Sequence, residues 1–386
     1  MNGTIAAVIA ALVAILAVIG FLTGDEDGSP DARGPSIAAI ARRVERVREL
    51  RFDHLPRVRH VSGAQARADG LRELDREIPR PKVAAEERLL TLLGLLPPRS
   101  SLRELFGKTL SSEVGGYYLP RTGTLSVVGS GGQAGLLGEI TLAHELTHSL
   151  EDQHFDLSSG AATGFQRDRS MADSALHEGT ATIAMVDYAV LKATGRNDIP
   201  AVVRAQALKA LDKAAVPASS GLPRYVRESL VFPYAAGARL VNRIESRGGW
   251  AAVNRAFGAQ APLSTEQLMH PAKYDAHERP VRVVVAPPPG TRLVERGDFG
   301  EFDTEQLLRA ANGRRRSIPA AAGWGGGGFA LWCTGGRYGL TLRWRWDSAR
   351  DAREFARALR RTARRLGRAS VYGGDEEVGL KLARRP

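Results

Sequence analysis

The sequence predicts an α+β protein with a mostly helical body, a small β-hairpin or sheet within that body, a small C-terminal α+β domain and an N-terminal transmembrane helix. Three observations lead to this prediction. Apolar residues recur at helical spacing through most of the chain up to residue 285. The turn Pro120-Arg121-Thr122-Gly123 separates two short extended runs. An alternating strand pattern follows much later, at Tyr338–Trp346.

The first element is the uncharged apolar segment Thr4–Leu22, close to the roughly 20 residues that cross a bilayer. A signal peptide is the alternative, but a basic start and a clear cleavage site before Asp25 are both missing, which favours a retained anchor over residues 1–24. No Lys or Arg lies close on either side to orient the segment. From the type of segment, we expect a single-pass protein of the cell membrane with its bulk outside the cytoplasm.

Residues 25–52 are predicted to be a linker and an amphipathic helix, in which Ile37, Ile40, Val44 and Val47 share one face. The main domain is predicted to span residues 53–285. Helices are predicted in this domain at Leu71–Ile78, Val83–Leu96, Leu136–Asp152, Met171–Leu191, Val202–Ala215 and Ala235–Ser246, strands at Pro56–Val61, Val114–Leu119 and Thr124–Val128, and loops at Gly129–Gly135 and Ser158–Ser170.

A proline-rich stretch near Ala286–Gly290 marks a boundary, and residues 286–386 are predicted to form the C-terminal α+β domain. A glycine run at Gly325–Gly328 precedes the alternating strand. A helix at Ser348–Leu366 and a final strand pair near Ala369–Leu382 complete this domain.

Composition limits the function classes. The 386 residues carry a formal charge of +12. This charge alone is compatible with binding to nucleic acid, with binding to an anionic membrane, or with a solvated surface that binds neither. No nucleic-acid motif accompanies this charge, so a nucleic-acid partner is not expected. The single cysteine, Cys333, excludes an intrachain disulfide and lies far from the His/Glu cluster of the sequence.

That cluster is His144-Glu145-Leu146-Thr147-His148, within the predicted helix Leu136–Asp152. Residues four apart lie on one face of a helix, so His144 and His148 can bind one ion while Glu145 reaches the water on it. This pattern is typical of zinc peptidases, in which zinc activates the water and the carboxylate takes its proton. The sequence therefore predicts a Zn²⁺ cofactor, with His144 and His148 as ligands and Glu145 as general base.

A catalytic zinc needs a third protein ligand, and two residues compete for this role. His154 falls ten residues after His144, as in the metzincin pattern, but Glu151 occupies the position where that pattern requires a glycine. Glu178, in Glu178-Gly179-Thr180-Ala181, lies on a following helix as in the gluzincin arrangement, and we favour it. His177 is expected to point elsewhere. Asp152 could orient His148, although an ordinary exposed carboxylate is the alternative.

The chain resembles a family of bacterial, membrane-anchored, gluzincin-type (peptidase MA-like) metallopeptidases from about Val58 to Asp351. The matching stretches are Gly116–Pro120, Thr141–Leu157, Glu178–Ala181, Phe232–Tyr234, Ser264–Tyr274, Gly323–Gly326 and Trp346–Ser348. Leu119 departs from the family, which more often has Asp before the proline. The resemblance implies a zincin-like core in which His144, His148 and Glu178 bind zinc and Glu145 is the base. It implies a protein or peptide substrate without naming one.

A peptidase also needs a donor that stabilises the negative charge on the carbonyl oxygen. Tyr234, His270 and Tyr274 are candidates because each carries a proton donor within a family-like motif, and of these we predict His270 and Tyr274 as catalytic residues. Core aromatics and a helix-flanking histidine are the alternative. The hairpin strand with Tyr117 and Tyr118 is expected to pair with extended substrate.

The helix Ser348–Leu366 carries a row of arginines opposite its apolar residues. A solvated outer face is the simplest interpretation, and contact with anionic lipid headgroups is the alternative. Two functions are alternatives to a peptidase. One is a catalytically idle zinc-binding scaffold, and the other is a membrane-surface binding module of the cell envelope in which the zinc is structural. The first gains no support from the sequence, since Glu145 is present. The second requires a fourth protein ligand, and only three are evident. The sequence does not determine the oligomeric state.

Overall fold

The computed structural model describes residues 35–112, 115–129, 136–157, 167–197, 199–218, 221–367 and 369–383. The helices are α1 Ile37–Arg48, α2 Gly63–Glu77, α3 Arg80–Leu92, α4 Leu102–Ser112, α5 Leu136–Phe155, α6 Arg167–Thr194, α7 Ala201–Ala218, α8 Arg224–Ala256, α9 Thr265–Met269, α10 Pro271–Asp275, α11 Glu301–Asn312, α12 Arg314–Ala321 and α13 Ala349–Leu366. The strands are β1 Arg57–Val61, β2 Gly116–Leu119, β3 Thr124–Val128, β4 Arg292–Asp298, β5 Trp324–Thr334, β6 Arg337–Trp346, β7 Ala369–Gly374 and β8 Glu377–Ala383.

The architecture is α+β: a mostly helical body with a three-stranded sheet, followed by a five-stranded antiparallel sheet with its own helices. The predicted transmembrane segment Thr4–Leu22 lies outside the described residues. Within the described ranges, no helix combines the length and apolar character needed to cross a membrane. Helices α4, α11 and α12 were not predicted, and α6 begins at Arg167, inside the stretch predicted as a loop at Ser158–Ser170.

The small sheet has the order β1-β3-β2, with β1 parallel and β2 antiparallel to the central β3. A short 3-10 turn at Pro120–Thr122 joins β2 to β3, and Gly123 closes it with φ 58°, a left-handed conformation that suits glycine. Strand β2 lies at the edge of the sheet and contacts α5. The predicted hairpin is therefore confirmed, and it places an open strand edge beside the helix of the His/Glu cluster.

Helices α6 and α8 cross in close contact, which small residues permit. A Cβ atom at Gly237 of α8 would overlap the carbonyl oxygen of Ala175, and one at Gly179 would overlap the backbone of Gly237. Both glycines are therefore required for the two backbones to approach. The crossing brings the middle of α6 to the middle of α8, and α5 packs against α6 on another side. Three helices consequently surround one buried point.

The C-terminal sheet has the order β4-β5-β6-β8-β7, and α13 packs against β6, β8 and β7. Its core contains three almost fully buried tryptophans, of which Trp346 stacks on Phe355 of α13 with ring centroids 4.4 Å apart. The glycines at positions 325–328 allow another part of the backbone to approach β5 closely. Cβ atoms at Gly326 and Gly328 would overlap the carbonyl oxygens of Val281 and Val283, so the run admits the extended segment that passes over the sheet.

The body and the C-terminal domain meet through buried polar groups at the start of α6. Arg167 contacts Glu86 at 3.1 Å and Asp303 at 3.2 Å, and Asp298 accepts a hydrogen bond of 3.0 Å from the backbone amide of Asp168. Asp168 itself accepts hydrogen bonds from the amide and the hydroxyl of Thr265. This group of residues, here called the junction, ties α6 to β4 and α11.

Candidate metal centre

Helix α5 carries His144, Glu145 and His148 in the interior of the protein. The helix is buried over nearly all of its central turns, with His144 at 0%, Glu145 at 1% and His148 at 9% exposure. Spacing by four residues brings the two imidazoles together, and their Nε2 atoms lie 3.1 Å apart. The side-by-side placement predicted from the sequence is confirmed.

Glu178 completes the cluster from α6. Its Oε2 atom lies 3.3 Å from Nε2 of His144 and 3.5 Å from Nε2 of His148, and the side chain is buried. Ligand atoms of these three residues all lie within 4.8 Å of one another, so the group could hold a metal ion. The tight crossing of α6 with α8 at Gly179 fixes the turn of α6 from which Glu178 projects.

The spacing of the three atoms fits zinc. Ligands placed tetrahedrally around zinc at about 2.0–2.1 Å lie roughly 3.3 Å from each other. The three separations here, 3.1, 3.3 and 3.5 Å, bracket that value. Two imidazole nitrogens and one carboxylate oxygen also form the donor set of catalytic zinc sites, which keep a further position open.

The electrostatics of the group agree with a site built for a cation. Burial alone would raise the pKa of Glu178, but the charge of His148 and the interactions with both imidazoles outweigh burial and lower its pKa to about 2. Burial would lower the pKa of His148, yet the attraction of Glu178 raises its pKa to about 9. Positive charge is therefore favoured at this point of the interior, because Glu178 remains ionised there.

Glu145 is held by the edge strand. Its Oε2 atom accepts a hydrogen bond of 2.9 Å from the backbone amide of Tyr118 in β2, while its buried Oε1 atom has no hydrogen-bond partner among the described residues. Burial is the main reason that the pKa of Glu145 is raised to about 8. One oxygen is thus fixed and the other is free to accept a proton.

Tyr234 of α8 lies beside the cluster. Its ring stacks on that of His144, with centroids 6.0 Å apart and planes inclined by 22°. Its buried hydroxyl makes no hydrogen bond of standard geometry in the described part of the chain, although it lies close to the carboxylate of Glu178. Burial, together with the charges of Glu178 and Glu145, raises the pKa of Tyr234 well above its ordinary value, so the group stays a proton donor.

Other candidates from the sequence have different partners. His154, the alternative third ligand, lies at the end of α5 and is remote from the cluster. Its Nε2 atom is 2.8 Å from the carbonyl oxygen of Arg51. His177 stacks on Phe257, as expected for a side chain directed elsewhere. Asp152 accepts hydrogen bonds from the Tyr118 hydroxyl at 2.8 Å and from the amide of Leu157 at 3.0 Å, and thereby ties the edge strand to α5.

His270 and Tyr274, predicted as catalytic donors, lie in the segment of α9 and α10. His270 contacts Glu301 of the C-terminal domain at 2.8 Å, and the Tyr274 hydroxyl donates to the carbonyl oxygen of Gln260 at 2.9 Å. Among the described residues, no hydrogen bond or ring contact links either one to the cluster.

Sequence reasoning missed the role of Glu151. This buried carboxylate, one turn after His148, binds Arg48 of α1 at 2.7 Å and accepts a hydrogen bond of 2.8 Å from Thr180 of α6. The guanidinium of Arg48 also stacks on Trp250 of α8 at 4.3 Å. Glu151 thus joins the helices on which the cluster depends. The only signal in the sequence was a carboxylate at the position where the metzincin pattern needs glycine.

A second group of carboxylates, Glu266, Glu278 and Asp347, also has close-set oxygens. The ammonium group of Lys273 lies among them, at 2.5, 2.7 and 2.5 Å respectively. Lysine therefore supplies the cation that these acids require, and the group serves as a contact between α10 and the C-terminal domain.

Comparison with known proteins identifies one part of the chain. Residues 290–384, which include the five-stranded sheet and α13, match a family described as a domain of unknown function, DUF8575. Neither the curated proteins nor the solved structures gave a match.

Proposed function

We propose that the protein is a zinc-dependent metallopeptidase that hydrolyses peptide bonds. The observation that carries this proposal is the convergence of His144, His148 and Glu178 at zinc-like spacing beside a buried Glu145 with one unpartnered oxygen. A purely structural zinc site usually has four protein ligands, often cysteines, and needs no adjacent base.

The three ligand residues would hold the ion, and zinc in such a site polarises the scissile carbonyl and lowers the pKa of water toward about 7. Glu145 accepts a proton at its free Oε1 atom and passes it to the leaving amine. The amide of Tyr118 keeps the other carboxylate oxygen in place during both transfers. Burial raises the pKa of Glu145, and the charge of a bound cation would lower it again, so the carboxylate would be ionised and able to take a proton when the site is loaded.

Tyr234 is the donor that we assign to the developing oxyanion. Its hydroxyl is buried and protonated and makes no hydrogen bond of standard geometry among the described residues, and its ring contacts a ligand residue. His270 and Tyr274 were the predicted donors, and each already has a partner away from the cluster. A donor already in place costs no reorganisation when the charge forms.

Strand β2 supports binding of an extended peptide. It forms the edge of the sheet next to α5, and the amide of Tyr118 that points away from β3 is directed at Glu145. The strand is itself fixed, because the Tyr117 hydroxyl donates to the buried Asp69 at 2.7 Å and the Tyr118 hydroxyl donates to Asp152. A substrate strand added at this edge would lie along the catalytic helix and would pair with backbone groups of β2 other than the Tyr118 amide, which Glu145 occupies.

The membrane anchor remains part of the proposal. Residues 4–22 have the length and apolar character of a membrane span, and we place the catalytic body outside the cytoplasm on the cell membrane. The expected partners are a protein or peptide substrate and the lipid bilayer.

Metal content and cleavage by the full chain test the proposal together. We expect about one zinc per chain, lost in Glu178→Ala but kept in His154→Ala and Glu145→Ala, with cleavage of a mixed peptide library lost in Glu145→Ala. A protein that holds zinc but never cleaves would be an idle scaffold. Absence of zinc, or cleavage that survives Glu145→Ala, would leave a membrane-surface binding module as the better description.

A further inference from the structure

The C-terminal domain presents a continuous row of arginines, called here the arginine face. It consists of exposed residues on two adjacent helices, α12 and α13. Its members are Arg314, Arg315 and Arg316 on α12 and Arg350, Arg353, Arg357, Arg360, Arg361, Arg364 and Arg365 on α13. On α13 the row runs from Arg350 to Arg365, so it extends for roughly 23 Å along that helix.

Few of these charges are compensated within the protein, although Glu305 lies near Arg314 and Glu354 stands between Arg350 and Arg357 on α13. Among the described residues, none of the ten forms an ion pair, and Arg361 donates one hydrogen bond of 3.2 Å to the amide oxygen of Asn312. The nearest strand hairpin carries acids, but Glu377 is already paired with Arg343. Most arginines elsewhere in the body do have partners, as Arg48 and Arg204 show. Most guanidinium groups of the arginine face are therefore available to bind an anion.

Exposed apolar residues lie on both sides of the row. Ile318 of α12 is 42% exposed and Tyr372 of β7 is 43% exposed, and both elements contact α13. Between α13 and the hairpin β7–β8 lies a groove of about 310 Å³. Arg353, Arg357, Arg360 and Tyr372 line it together with two acids, Asp375 and Glu377. Few large apolar side chains in the described part of the chain are this exposed, so their position beside the arginines is informative.

We propose that the arginine face binds an anionic lipid surface. Guanidinium groups form paired hydrogen bonds with phosphate oxygens, and a row of them along a helix matches a layer of headgroups. Ile318 and Tyr372 would then enter the interface between headgroups and acyl chains, where tyrosine is favoured. The apolar segment Thr4–Leu22 supplies a reason for the domain to meet a membrane.

The surface fits lipid better than nucleic acid. Binding of single strands relies on several aromatic side chains on which bases stack, and Tyr372 is the one exposed aromatic residue of this face in the described part of the chain. The arginines lie on the outside of a convex helix that packs on a sheet, so no positively charged channel encloses a strand. This inference is independent of the zinc site.

An environment-sensitive dye on position 372 tests the contact. The full chain, carrying Tyr372→Cys in a Cys333→Ser background, is placed in nanodiscs of phosphatidylcholine alone or with about one third phosphatidylglycerol. We expect a blue shift of the dye emission only with phosphatidylglycerol. Salt at about 1 M, where the Debye length is about 3 Å, should reverse the shift.

Charge reversal then identifies the residues. Arg353→Glu, Arg357→Glu and Arg360→Glu together should lower the equilibrium constant for docking by at least about a hundredfold, because each arginine near an anionic surface contributes roughly fivefold. The matched control reverses three exposed arginines elsewhere, Arg42, Arg279 and Arg337, and should keep the shift.

Three results would overturn the proposal: equal emission in neutral and anionic nanodiscs, a shift that resists salt, or equal loss in the control triple. A shift produced in neutral nanodiscs by added single-stranded RNA, with none from phosphatidylglycerol, would assign the arginine face to nucleic acid instead. Because the salt arm uses unchanged arginines, the test does not depend on folding of the reversed variant.

Discussion

Two of the buried carboxylates on helix α6, Glu178 and Asp168, have pKa values shifted in opposite directions. Glu178, in the metal centre, has its pKa lowered to about 2 by two neighbouring imidazoles despite burial. Asp168, ten residues earlier at the junction, has its pKa raised well above the usual value by burial and by the nearby Asp298. Their exposures are equally low, 4% each. Burial alone therefore does not decide ionisation, because neighbouring charges can outweigh it, as they do at Glu178.

The two carboxylates have different roles on the same helix: one is placed to bind a cation, and the other joins two domains. At the centre, an ionised carboxylate among imidazoles is prepared for a cation. At the junction, Glu86 and Asp303 contact the guanidinium of Arg167, while burial raises the pKa of both Asp168 and Asp298, so these two acids favour their protonated forms. A protonated acid can donate and accept hydrogen bonds without a counter-ion, which suits an interface between domains.

The largest expected effect distinguishes the two carboxylates directly. Glu178→Gln should lower zinc affinity by more than about a hundredfold, because loss even of a group behind a ligand costs about 10–100-fold. Asp168→Asn, equally buried and on the same helix, should retain zinc. Metal titration by calorimetry measures both variants. Equal loss in both would mean that the whole of α6, and not the carboxylate of Glu178, determines binding.

The crossing of α6 and α8 should respond to a single methyl group. Gly237→Ala places a Cβ atom against the carbonyl oxygen of Ala175, and overpacking of this kind should lower the free energy of unfolding by about 3 kcal/mol. Gly221→Ala, at an exposed glycine with open space around it, is the control and should change little. Denaturant titration reports the difference. If Gly237→Ala is as stable as the control, the close approach does not fix the position of Glu178.

A smaller effect is expected when the hydroxyl beside the cluster is removed. Tyr234→Phe should lower the rate of peptide cleavage by about a hundredfold, the usual loss for one oxyanion donor, without changing zinc content. His270→Ala and Tyr274→Phe, assayed beside it, should retain most activity because their partners lie elsewhere. The assignment fails if Tyr234→Phe cleaves at the normal rate. If His270→Ala or Tyr274→Phe lowers the cleavage rate instead, the donor is the residue that was changed.

The junction should respond to pH. Burial is the main cause that raises the pKa of Asp298 to about 7, above the roughly 3.9 of an unfolded aspartate. Protonation therefore stabilises the fold below about pH 4, and this contribution is lost as the pH rises toward 7. Between pH 5 and pH 8, the free energy of unfolding of Asp298→Asn should therefore rise by about 1–2 kcal/mol relative to that of the unchanged chain.

Unfolding in denaturant at those two pH values measures the gain. Asp375→Asn, at an exposed aspartate of the last hairpin, provides the control and should show no such dependence. A flat difference for Asp298→Asn would mean that Asp298 is ionised throughout this range, and that the two ends of α6 differ less than we infer.

The sequence allowed much of the site to be predicted. His144, Glu145 and His148 are fixed by a helical repeat of four residues, which needs no tertiary information. Glu178 could be favoured over His154 from the glycine missing at position 151. Tyr234 was a candidate donor, but we preferred His270 and Tyr274, because the motifs do not show which helix crosses α6. Glu151 gave no usable signal, since its partners Arg48 and Thr180 lie on two other helices.

By itself, the sequence determined the α+β class, the pair of imidazoles and the carboxylate of Glu145 beside them, because local periodicity places side chains that are close along the chain. The tertiary structure decided the third ligand atom, the hydrogen bond from Tyr118 to Glu145 and the difference between Glu178 and Asp168. These features join residues from separate elements, and a pKa depends on every charge and dipole within a few ångströms. Only packing brings those groups together.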